Sequence, residues 1–175
     1  MSPRNLLAGV LVLLALLWSV RRLGYHLSSP EQQVRGQLES MVASFNETVS
    51  AGVLGGFAEQ YRDEGTGTDR DGIREILVYL FLREFRSEGS SLRCELLEEE
   101  LEIEIDPAGR ASAASAASPA GAVATVRLRA LFHQRRGAEE RLYWDARGVL
   151  VLEDQGSEWE IVRSRDFNHA DRSGR

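Results

Sequence analysis

The sequence predicts an α+β domain behind a single N-terminal transmembrane helix, and three observations carry that prediction. Asn5 to Val20 form an uncharged run dominated by Leu and Val. Apolar residues then recur at helical spacing from Val34 to Phe85. From Glu98 onward, alternation at period two replaces that spacing. Together they give three helices followed by antiparallel strands, in one domain from residue 28 to 167. Residues 1–27 are the anchor and juxtamembrane segment, and 168–175 a disordered tail.

The 16 residues of the apolar run make about 24 Å of helix, short of the roughly 30 Å hydrocarbon core of a bilayer. Arg4 before it and Arg21 and Arg22 after it snorkel, and Leu23 extends it. A cleaved signal peptide is the alternative, but Trp18-Ser19-Val20-Arg21-Arg22 offers no Ala-x-Ala pattern. Arg4 and the start amine nearly balance the two downstream arginines, and a short head tends to stay inside. All 21 basic residues are Arg, a skew expected of a GC-rich bacterial genome. The expectation is therefore a bacterial inner-membrane protein, single-pass, with its domain in the periplasm.

Ser28-Ser29-Pro30-Glu31 starts the first helix with a hydroxyl cap, a proline in the first turn and an acid at the positive dipole end. Val34, Leu38, Met41, Val42, Phe45 and Val49 lay one stripe along it until Gly52. Val53, Leu54, Phe57 and Tyr61 predict a second, shorter helix before the turn Asp63-Glu64-Gly65-Thr66-Gly67. Thr68 and Asp71 frame a capping box for a third helix, with Ile73, Ile76, Leu77, Leu80, Phe81 and Phe85 as its stripe.

The first strand is predicted from Glu98, with Leu101, Ile103 and Ile105 opposite Glu100, Glu102 and Glu104. Residues 106–122 are a low-complexity Ala/Ser/Gly/Pro connection. Val123 to His133 is a strand whose Val126, Leu128, Ala130 and Phe132 face inward, and whose Arg127 and Arg129 face the Glu row. Glu140 to Glu153 follows, bent near Gly148. Asp154-Gln155-Gly156-Ser157 turns the chain into a last strand with Trp159, Ile161 and Arg163 on one face.

This helices-then-strands order resembles the nuclear transport factor two-like superfamily, which includes SnoaL-like proteins and ketosteroid isomerases. Phe57 to Asp63 followed by Gly65 to Leu77, together with Asp154 to Val162, is similar to the segments that uncharacterised bacterial members carry at those places. The resemblance spans roughly 30 to 167. It implies a curved sheet wrapped over three helices into a cystatin-like cone with an interior pocket, and often a homodimer. It does not imply an activity.

The formal charge is -6, and setting aside Arg4, Arg21 and Arg22 leaves the domain three charges more acidic, which speaks against a nucleic-acid partner. Cys94 is the only cysteine, so an intramolecular disulfide and a multi-thiolate metal site are both excluded. The sequence calls for no cofactor and no metal, and it assembles no catalytic set. An isomerase of the ketosteroid type needs a carboxylate base beside an oxyanion hole in an apolar pocket. Tyr61, Asp63, Tyr79, His133 and Trp144 are the residues able to line such a pocket, and core packing explains the aromatics equally well.

Two functions stay open on these residues. One is a non-catalytic, membrane-tethered domain that binds an apolar small molecule or an envelope protein. The other is a small SnoaL-like isomerase, dehydratase or hydrolase, which needs at least two of Tyr61, Asp63 and His133 to converge in the interior.

Overall fold

The computed structural model describes residues 28–83, 90–106, 121–156 and 158–169. The predicted anchor and residues 107–120 of the low-complexity connection lie outside the described residues. Among the described residues, no helix is long and apolar enough to cross a membrane. Three helices, α1 (Pro30–Asn46), α2 (Ser50–Leu54) and α3 (Arg70–Arg83), pack on a sheet of β1 (Phe57–Asp63), β2 (Ser90–Leu96), β3 (Glu102–Asp106), β4 (Val123–Arg136), β5 (Glu139–Asp154) and β6 (Trp159–His169).

The α1 cap forms as its residues require: Ser29 Oγ accepts from the Gln32 N–H, and the Gln32 side chain accepts from the Ser29 N–H. Val34, Leu38, Met41 and Phe45 are its buried stripe. The helix ends a turn earlier than the stripe suggested. Val49 N–H donates to Ser44 O and Thr48 N–H to Phe45 O, with Thr48 at φ 60°. That is a Schellman closure built on threonine where glycine is the usual residue. Val49 is consequently 46% exposed, and Gly52 lies inside α2, where a Cβ would meet Ser44 Oγ at 2.2 Å.

The predicted second helix divides. Only Ser50–Leu54 is helical; Gly55-Gly56 release the chain into β1, so Phe57 and Tyr61 sit on a strand. Gly56 passes so close to α1 that a Cβ would lie 2.1 Å from Met41 Sδ, and its carbonyl accepts from the Ile161 N–H at 2.8 Å. β1 pairs with β6 in parallel, which makes the sheet mixed rather than wholly antiparallel, in the order β1-β6-β5-β4-β2 with β3 also on β4.

The cap of α3 is Asp69, whose Oδ1 accepts from the Gly72 N–H at 2.9 Å. Thr68 instead shares a hydroxyl contact with Thr66. In α3, Leu77 is buried and Ile73, Leu80 and Phe81 pack on the core, while Ile76 is exposed. β2 is a strand in a stretch to which the sequence reading assigned no element, and Glu98–Glu100 form a 3-10 turn rather than the start of β3. β3 keeps the expected alternation, with Leu101, Ile103 and Ile105 against the core.

β4 and β5 form the long hairpin at the centre of the sheet, and the expected Arg-to-Glu facing is present. Arg127 approaches Glu102 at 3.4 Å; Arg129 Nη1 donates to Glu100 at 2.6 Å and clasps Asp145 with its other two nitrogens. The bend near Gly148 appears as broken register with β6, where Asp166 has φ 59° and the Phe167 ring lies over the glycine. Asn168 and His169 pair with β5 and belong to β6, not to a tail.

Among the described residues, large apolar side chains pack under the sheet. The Phe45 ring lies 5.4 Å from both Phe81 and Phe132, and Trp159, Leu152, Ile161, Val34 and Val126 are fully buried. Trp159 Nε1 donates to Gln33 Oε1 at 3.0 Å, fastening β6 to α1. At the free edge of β2, the Asn46 amide accepts from the Cys94 N–H and donates to the Cys94 carbonyl. A side chain thus occupies the place of a neighbouring strand.

Candidate functional site

The feature that brings reactive groups together is a bulge. Leu152 pairs with Ile161 and Val151 with Arg163, so Val162 is an extra residue in β6. One added residue exchanges the faces of everything after it. Arg163 turns outward, contrary to the even spacing of Trp159, Ile161 and Arg163, and Ser164 turns inward, only 2% exposed.

Ser164 stands beside Asp63 in the β1–β6 register. Its hydroxyl donates to Asp63 Oδ2 at 2.6 Å, and Tyr61 Oη lies 2.6 Å from the same Ser164 oxygen. Because Ser164 has one proton and gives it to the carboxylate, the tyrosine is the donor in the second bond. The order is Tyr61 to Ser164 to Asp63. The other carboxylate oxygen, Oδ1, accepts from the Thr66 N–H at 2.7 Å and the Thr66 hydroxyl at 2.8 Å. The turn itself is closed by Asp63 N–H to Thr68 O and Gly67 N–H to Asp63 O.

Burial alone would raise the Asp63 carboxyl, but the bonds from Ser164, Thr66 and the Gly65 backbone outweigh it and hold the carboxyl below its ordinary value. Burial pushes the Tyr61 phenol up, against the lowering effect of its Ser164 bond and with the help of the nearby Asp63 charge. The two shifts favour an ionised carboxylate beside a neutral phenol.

Of the five residues proposed as pocket lining, the structure brings only Tyr61 and Asp63 together. Tyr79 lies on the outer surface of α3, 53% exposed. His133 is on the outer sheet face, with Nδ1 3.7 Å from Glu140 and Nε2 4.0 Å from Glu95. Trp144 stacks on Phe132 at 5.0 Å and belongs to the packing between β4 and β5. Cys94 is buried and its thiol is pushed up to about 12 by burial and by Glu95, so it is no nucleophile. Ser164 and Thr66 were missed; the one hint was the consecutive apolar pair Ile161-Val162, which breaks strand alternation. Among the described residues, no group of His, Cys, Asp and Glu is placed to hold a metal ion.

Three depressions mark the described surface. One of about 300 Å³ runs between α1 and β2, past Glu39, Asn46 and Arg93. Another, of about 330 Å³, is a polar hollow on the outer sheet face near Glu64, Glu104 and Arg163. A third, of about 530 Å³, lies along α3 and is walled by Val78, Tyr79 and Leu82.

No protein-family model matches the chain, and no curated protein matches it in sequence. Solved structures do match. A variant of Rv3472, a protein of unknown function from Mycobacterium tuberculosis, superposes with a TM-score of 0.58 at 18% identity, covering 82% of this chain and 80% of that one. A Catenulispora acidiphila protein in complex with S-DNPA gives 0.57 at 12% identity, over 81% and 94%. A Nostoc punctiforme protein of unknown function with a cystatin-like fold gives 0.52 at 10% identity, over 81% and 92%. These matches show that the chain has a cystatin-like fold, the fold that the resemblance in its sequence implied.

Proposed function

We propose that this chain is a non-catalytic binding domain, tethered to the bacterial inner membrane by residues 5–20 and projecting into the periplasm, that recognises a partner at its surface. The observation that supports this most is the saturation of Asp63. Both of its oxygens accept hydrogen bonds from within the chain, and a base for proton abstraction needs one oxygen free and a raised affinity for protons. The packing of Trp159 and Phe45 in the core adds to this, because a substrate entering at either place would have to displace them.

One observation favours the enzyme reading: Tyr61 and Asp63 do converge on Ser164, and a fold neighbour is in complex with S-DNPA. The two readings separate on Asp63→Asn. In a deletion strain complemented with that variant, the binding reading expects wild-type output at temperatures where the variant is folded. Lost output with unchanged melting would make Asp63 a catalytic group and overturn the proposal. Tethering is tested separately: the full chain should resist alkaline extraction from membranes, and its release by carbonate would remove the anchor.

A further inference from the structure

β2 lies at a margin of the sheet, and the chain closes that margin at one point. Cys94 pairs with Phe132 of β4 on one side. On the other, its N–H donates to Asn46 Oδ1 at 2.7 Å and its carbonyl accepts from Asn46 Nδ2 at 3.0 Å. Both backbone groups of Cys94 therefore point away from β4, and by the alternation of an antiparallel strand those of Leu92 and Leu96 point the same way. Among the described residues, β2 ends the strand order and no further strand covers this row. Such a row is a template for another chain.

The side chains of β2 select which chain. Leu92, Cys94 and Leu96 face the core, and Arg93 and Glu95 are exposed on the opposite face. Outward from Cys94 in both directions the strand is Leu-Arg-Cys-Glu-Leu, apolar matched to apolar and base matched to acid. Laid antiparallel against a second β2 with Cys94 at the two-fold axis, each Arg93 stands opposite a Glu95 and each Leu92 opposite a Leu96. The other edges lack this symmetry. Glu102 and Glu104 share the exposed face of β3, so self-pairing about Ile103 would set acid against acid, and at β1 a bridge from Asp69 to Arg62 occupies the margin.

We infer that β2 is a self-recognition edge for a second copy of this chain, and that Asn46 keeps it shut. In a β2-to-β2 pair the two Cys94 residues exchange both of their outward backbone bonds, and those are the two groups that the Asn46 amide holds. Asn46 is the last residue of α1, so the guard is carried by a helix already fixed to the core through Val34, Leu38, Met41 and Phe45. An amide at this place satisfies a donor and an acceptor together and leaves no strand edge to continue.

The test is the particle mass of the full chain in detergent, measured by sedimentation equilibrium, with thermal melts to show that each form is folded. Asn46→Ala should double the wild-type mass. Adding Arg93→Glu should return it to the wild-type value, because acids then face acids across the pair, and adding Glu95→Arg to both should double it again. An unchanged mass in folded Asn46→Ala overturns the inference. So does a doubled mass that Arg93→Glu leaves in place, since another surface would then be responsible. A wild-type mass that Arg93→Glu alone halves would show the edge open in the native chain and overturn the guard. If Asn46→Ala does not fold, Asn46→Ser takes its place in the series; failure of both to fold would make Asn46 a clamp of the fold and equally overturn the inference.

Discussion

Ser164 donates a hydrogen bond of 2.6 Å to Asp63, tying the end of β1 to a strand 101 residues later in the chain. The bond exists because Val162 bulges out of β6 and turns Ser164 inward. Ser164→Ala leaves one Asp63 oxygen and the Tyr61 hydroxyl without their partner in a buried place. The expected loss is about 1–3 kcal/mol, larger than the value of one neutral hydrogen bond. Chemical denaturation of the variant beside wild type measures it. A loss near zero would mean that water replaces the serine.

Acid should act on the same unit. Asp63 binds its proton less readily folded than unfolded, so its contribution to stability is complete above the unfolded value near 3.9 and is lost as pH falls through the lower folded value. Thermal melts of wild type should drop across that window, and Asp63→Asn should flatten the drop.

Alkali should act with the opposite sign through Tyr61. Its folded phenol ionises later than the unfolded one, so its contribution is complete below about pH 10 and fades as pH rises towards the folded value. Tyr61→Phe should lose stability at neutral pH and lose little more at pH 11, whereas wild type should lose stability between the two.

Much of this architecture can be read from residue order, and the places where reading stops have physical causes. The α1 stripe, the β3 alternation, the Arg-to-Glu facing and the Asp154–Gly156 turn all follow local rules, and each is present. β1 was hidden because Val53, Leu54, Phe57 and Tyr61 happen to fall at helical spacing, and because a strand in parallel pairing owes its stability to β6, a hundred residues away. Ser164 was hidden because a bulge changes which side chains face the core without changing composition. Tyr79 and His133 were drawn into a pocket by residue type alone, which carries no information about facing.

Thr48 offers a test of local backbone cost. A β-branched residue at φ 60° is held there by the Schellman bonds of α1. Thr48→Gly should stabilise the protein by about 1 kcal/mol, because glycine adopts that conformation without the Cβ penalty. A rise in melting temperature checks it; a fall would show that the threonine side chain contributes more than its backbone costs.

The central claim is that Asp63 is a saturated structural carboxylate and not a poised base. Carbon-13 NMR of the Asp63 carboxyl, followed through a pH titration of the folded chain, measures this directly. A midpoint below the ordinary aspartate range is predicted. A midpoint raised towards neutrality would contradict the account and return Asp63 to the role of a general base.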